Sequence, residues 1–119
     1  MSPKKTVRHW HFRIEDIIKA IDNIEEYTKG QTLDTFLQDK KTCDAVIRNI
    51  EIIGEAVSHL PNDFKHQHNQ IPWQIIKDFR NKLAHEYFGV DLTIIWNTIQ
   101  SRLISLKPEL LKIIAITQA

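Results

Sequence analysis

Lys41-Thr42-Cys43-Asp44-Ala45-Val46-Ile47-Arg48-Asn49-Ile50-Glu51-Ile52-Ile53-Gly54-Glu55-Ala56-Val57-Ser58-His59-Leu60-Pro61 is the stretch that decides the fold. Val46, Ile50, Ile53, Val57 and Leu60 recur at helical spacing and make one apolar stripe. Pro61 ends the helix, because the residue before a proline avoids helical angles. Asp39 or Thr42 can cap its start. Gly54 sits in the interior, where it costs roughly 1 kcal/mol against alanine, so it implies close approach by another helix. Cys43 falls in the first turn and reads as a small, semi-buried side chain rather than a nucleophile. It is the only cysteine, which excludes an internal disulfide.

On either side of this helix the same periodicity recurs, and no segment alternates like a strand. Trp10, Ile14, Ile17, Ile21 and Ile24 predict a helix from about Val7 to about Tyr27, stopped at Lys29-Gly30. Leu33 to Leu37 suits a short helical turn, and the polar run Pro61 to Gln70 reads as a loop. A third long helix begins near Pro72, tolerated in a first turn, and closes at Gly89. Asp91 caps a fourth, with Leu92, Ile95, Trp96, Ile99 and Leu103 buried. Pro108 opens a last short helix carrying Leu110, Leu111, Ile113 and Ile114. The expected fold is all-α: an up-and-down four-helix bundle with an additional short helix, forming one domain over residues 1–119.

Composition narrows the function. The chain is 42% hydrophobic and 26% charged, as a soluble globular protein should be. No apolar run approaches the roughly 20 residues of a membrane span, and no apolar signal core follows the N-terminus, so a cytoplasmic location is expected. Net charge is only +1, below what a general nucleic-acid coater carries. Any contact with RNA must therefore be local. Lys77, Arg80 and Lys82 form one cationic group, and Lys4, Lys5, Arg8 and Arg13 another, the latter read as solvated surface charge. His9 with His11, and His66 with His68, lack the ligand spacing of a metal site. The three glycines make no phosphate loop, so no nucleotide cofactor or metal is expected.

The chemistry concentrates in Arg80-Asn81-Lys82-Leu83-Ala84-His85-Glu86-Tyr87. Arginine grips phosphate with a permanently charged planar fork, and histidine moves protons near neutral pH. Together they can cleave RNA without a metal: the 2′-OH attacks the adjacent phosphate, His85 assists proton transfer, and Arg80 stabilises the developing charge. A regular helix advances about 100° per residue, which sets His85 about 140° from Arg80, on the side of Asn81. One straight helix does not aim both at one point. A bent arginine, a helix loosened near Gly89, or a site shared between two subunits would each resolve this. The plainer alternative has Arg80 paired with Asp78 or Glu86, His85 a satisfied polar residue, and Tyr87 in the core.

The segment Ile71-Pro72-Trp73-Gln74-Ile75-Ile76-Lys77-Asp78-Phe79, the arginine–four residues–histidine–one residue–tyrosine spacing, and Phe88-Gly89-Val90-Asp91 after it resemble the HepT-like branch of the HEPN superfamily. Ala45 to Ala56 resembles that family's central helix, and the resemblance extends from about Arg8 to about Ile114. It implies the toxin of a toxin–antitoxin module: a metal-independent endoribonuclease with Arg80 and His85 catalytic, Asn81 orienting His85 or binding phosphate, and Lys82 on the RNA backbone. It implies a homodimer whose two motifs meet in a cleft. The apolar Ile18, Ile52 and Ile94, beside the main stripes, are candidates for that interface. It further implies an MntA-type nucleotidyltransferase antitoxin that transfers AMP onto Tyr87, placing a bulky anion beside Arg80. The competing class is a non-catalytic helical dimer that docks a nucleotidyltransferase or presents nucleotide or RNA to it. Arg48, Glu51 and Glu55 line the cleft or dimer seam on one view and form surface ion pairs on the other.

Overall fold

A computed structural model describes the backbone of residues 3–85 and 91–118 and the side chains of residues 10–83 and 91–116. Its elements are α1 (Pro3–Thr28), α2 (Leu33–Gln38), α3 (Lys40–Ser58), α4 (Asn62–Gln67), α5 (Trp73–His85), α6 (Leu92–Thr98) and α7 (Ile104–Gln118). A π-helical turn, Ile99–Leu103, joins α6 to α7. Every regular element among the described residues is helical.

Helix α3 is the centre, packed against α1 on one side and α5 on the other, while α7 returns along α1. The stripe of α3 is buried as its spacing predicts, and it meets Ile14, Ile17, Ile21 and Ile24 of α1. A polar pair, Asn49 with Asn23, crosses this seam. Asn49, only 6% exposed, donates through Nδ2 to the Ala45 carbonyl at 2.9 Å and accepts from Asn23 Nδ2 at 3.1 Å. Buried amides of this kind are tolerated because their polar atoms are bonded. Lys107 reaches from α7 to Asp22 of α1, and that hydrogen bond raises the ammonium above its ordinary pKa.

The helix ends follow local chemistry. Gly30, at φ 76°, turns the chain out of α1. Asp39 caps α3 by accepting from the Thr42 N–H at 3.1 Å and from its hydroxyl at 2.7 Å. These bonds hold its carboxyl below the usual value, the Thr42 side chain contributing most. A lowered folded pKa stabilises the protein above the unfolded carboxylate range, and that contribution is lost as pH falls through the folded value. Asp39→Ala is therefore expected to lower Tm at neutral pH, and the gap should close in acid below pH ~4. Thermal melts at several pH values check this, and a gap that persists in strong acid would contradict it.

Two sequence expectations are corrected. Pro61 to Gln70 is not only loop, because α4 occupies Asn62–Gln67. Its single apolar anchor, Phe64, leaves no stripe to detect, yet Phe64 stacks on Trp10 at 4.5 Å and faces Trp73 at 6.1 Å between ring centroids. Pro108 does not open a helix either; it lies inside α7. An interior proline costs ~3 kcal/mol, but Leu110 and Ile113, each 1% exposed, offset this at ~1.5–3 kcal/mol apiece. The expected fourth and fifth helices are thus one helical run with a π turn in it. Of the three candidate interface isoleucines, Ile18 and Ile52 pack partly buried on the core, while Ile94 is 50% exposed. The expected closure at Gly89 lies outside the described residues.

Candidate functional site

Helix α5 carries Arg80, and its placement begins at its first turn. Trp73 is 6% exposed and donates its indole N–H to the His68 carbonyl at 3.0 Å. That anchor, with Leu83 buried further along, fixes the rotation of α5 on α3. Gly54 then admits Arg80: a Cβ on residue 54 would overlap Arg80 Cβ and Cγ, and would sit 3.1 Å from its Cδ. The close helix contact expected at this glycine is real, and the side chain that makes it is Arg80 itself.

The guanidinium is held at two points. Nη2 donates to Glu55 Oε2 at 2.8 Å, and Nη1 donates to Asn81 Oδ1 at 3.0 Å. The other Glu55 oxygen, Oε1, lies 3.0 Å from His59 Nε2. Glu55 is therefore shared between Arg80 of α5 and His59 of its own helix. Asp78, the one acid of α5, is not Arg80's partner and instead accepts from Gln74 at 2.9 Å.

Arg80 and Glu55 border a cleft of about 240 Å³ between α1, α3 and α5, lined also by Arg13, Asp16, Arg48, Glu51, Ile52 and Ala56. Arg48 and Glu51 line it and are also paired, loosely, at 3.5 Å. Three arginines face three carboxylates, so the cleft is nearly neutral although it is rich in donors. Arg80 arrives already bonded to an oxyanion, the Glu55 carboxylate, in the manner a phosphate oxygen would be bonded.

The sequence-predicted residues divide. Arg80 and Asn81 come together, with Asn81 steadying the guanidinium. Lys82 is exposed and does not line the cleft. Lys77 borders a separate recess beside α4, so the group Lys77, Arg80 and Lys82 does not converge. His85 ends α5, and its side chain lies outside the described ones; Glu86 and Tyr87 lie outside the described residues altogether. Sequence reasoning missed Glu55 as the partner of Arg80, and placed Arg13 on the open surface. The adjacent Gly54 was the available signal for the first. Cys43 is buried as expected, its thiol donating to the Phe36 carbonyl at 3.0 Å, and burial pushes its pKa up, away from nucleophilic use.

No helix among the described residues is long and apolar enough to cross a membrane. The family model "Ribonuclease HepT-like" matches residues 17–113. A protein of Thermococcus cleftensis named "Probable ribonuclease HepT" is 49% identical over 100 residues, covering 84% of this chain and 91% of its own. A protein of Caldanaerobacter subterraneus subsp. tengcongensis named as a "Putative RNase" is 39% identical over 101 residues, covering 85% and 90%. Another "Putative RNase", from Methanocaldococcus jannaschii, is 45% identical over 97 residues, covering 82% and 78%. No solved structure matches the chain significantly. A match this long, running through the α3 helix and the Arg80 segment, makes the chain a member of the HepT-like ribonuclease family.

Proposed function

We propose that this protein is a metal-independent endoribonuclease and the toxin of a toxin–antitoxin module. The observation that carries the reading is Arg80 held at a cleft mouth by Glu55 and Asn81, with His85 in the last turn of the same helix. In the reaction, His85 takes the 2′-OH proton as the 2′-oxygen bonds to phosphorus. The P–O5′ bond breaks, and a proton is delivered to the departing 5′-oxygen. Arg80 leaves Glu55 to bind the scissile phosphate, whose charge grows in the transition state. Asn81 keeps the fork oriented. Lys82, exposed and two residues beyond Arg80, contacts the RNA backbone.

The active form is a homodimer. Ile75 and Ile94, 53% and 50% exposed, are surfaces whose burial favours a second copy. A partner nucleotidyltransferase of the MntA type silences the enzyme by AMP transfer to Tyr87, two residues beyond His85. Its adduct competes with RNA for Arg80.

The test is incubation of unmodified protein with RNA and with DNA of the same sequence, in excess EDTA. RNA alone should be cut, leaving 2′,3′-cyclic phosphate and 5′-hydroxyl ends, because DNA lacks the nucleophile. His85→Ala should abolish cutting. A folded protein that leaves RNA intact would instead favour the helical dimer that docks a nucleotidyltransferase.

A further inference from the structure

We infer that the cleft between α1, α3 and α5 is a two-phosphate RNA subsite, in which Arg13 holds a phosphate next to the one gripped by Arg80. The inference rests on the ribonuclease reading and extends it to a residue on another helix. Arg13 lines the same cleft as Arg80, although the two are 67 positions apart in the chain. They meet there because α1 and α5 both pack on α3.

The three arginines of the cleft differ in state. Arg80 is engaged by Glu55 at 2.8 Å. Arg48 is paired with Glu51, and its side chain is 71% exposed, so water already solvates it. Arg13 is half-buried and has no ion-pair partner among the described residues, although Asp16 borders the same cleft. A partly desolvated guanidinium without a carboxylate is the group whose energy an arriving anion improves most. A phosphodiester suits it in charge and in the two-oxygen geometry that arginine matches.

Size points the same way. At about 240 Å³ the cleft falls below the range of roughly 300–1,000 Å³ usual for whole small-molecule sites. It suits a strand of sugar–phosphate backbone crossing the surface better than an enclosed base. Its apolar lining side chains, Ile52 and Ala56, offer no hydrogen bonds to a base edge. A phosphate contact through Arg13 carries no sequence preference. The role is binding: Arg13 holds the RNA strand beside the scissile phosphate that Arg80 grips.

The test measures binding of a 2′-O-methylated oligoribonucleotide, which cannot be cut by 2′-OH attack, across a salt series, together with cleavage of the unmodified RNA. Arg13→Gln should weaken binding roughly three- to tenfold and flatten the log–log salt dependence by about 0.7, the value for one phosphate contact on a single strand. In cleavage, KM should rise by the same factor with kcat unchanged. Arg13→Lys should restore the salt dependence but only part of the affinity. Lys112→Gln, at an exposed position of α7 outside the cleft, removes the same charge and should change neither. Arg13→Gln equal to the parent in affinity and salt slope, while Arg80→Ala fails to cut, would overturn the subsite and leave the ribonuclease reading standing. So would an equal loss in Lys112→Gln, or a fall in kcat at constant KM. A parent that cuts no RNA would instead remove the reading on which the subsite rests.

Discussion

Arg80→Ala is expected to lower kcat by about 10²–10³-fold, the usual cost of removing one donor that stabilises transition-state charge. The fold should survive it. The pair it breaks is with a half-exposed Glu55, and exposed pairs contribute only ~0–1 kcal/mol. Glu55 keeps His59 at 3.0 Å, so no carboxylate is stranded. Arg80→Lys tests charge against shape. It retains the cation but cannot bond Glu55 and Asn81 together through a rigid fork, as Arg80 does. It should recover part of the RNA affinity and remain about tenfold or more below the parent in kcat. Single-turnover cleavage beside a thermal melt separates the possibilities. Full activity in either folded variant would remove Arg80 from the chemistry.

The helices were legible in the sequence because most are amphipathic, and their stripes and stops are written at fixed spacing. Asp39, Gly30 and Asp91 sit at helix ends for reasons a local reading captures. What escaped notice was non-local. Phe64 is a single aromatic in a polar run, and only its contacts with Trp10 and Trp73 give α4 a reason to form. Pro108 looks like a helix start until the burial of Leu110 and Ile113 is weighed against its cost. At the candidate site, the motif singled out Arg80, but its Glu55 partner lies 25 residues away on another helix. Arg13 lies further still and looks like ordinary surface charge. Such convergence is a property of three helices packed together, and periodicity within one helix carries no trace of it.

Gly54→Ala is the second large effect, and it tests that convergence directly. By helix propensity alone, alanine should stabilise α3 by up to ~1 kcal/mol. The structure reverses the sign. The new methyl would overlap Cβ and Cγ of Arg80, atoms close to the α5 backbone that cannot swing aside as a side-chain tip does. Overpacking of this kind costs ~1–3 kcal/mol, so Tm should fall. The guanidinium should move with α5, and displacement of a catalytic group on the order of 1 Å costs up to about 10²-fold in rate. A double-mutant cycle fixes the cause. With Arg80→Gly, the clashing atoms are gone, and the added Gly54→Ala should become neutral or stabilising by up to ~1 kcal/mol. An equal loss of stability in both backgrounds would place the clash elsewhere. A Gly54→Ala protein that is more stable than the parent and cuts RNA as well would show that the glycine is not there to admit the arginine.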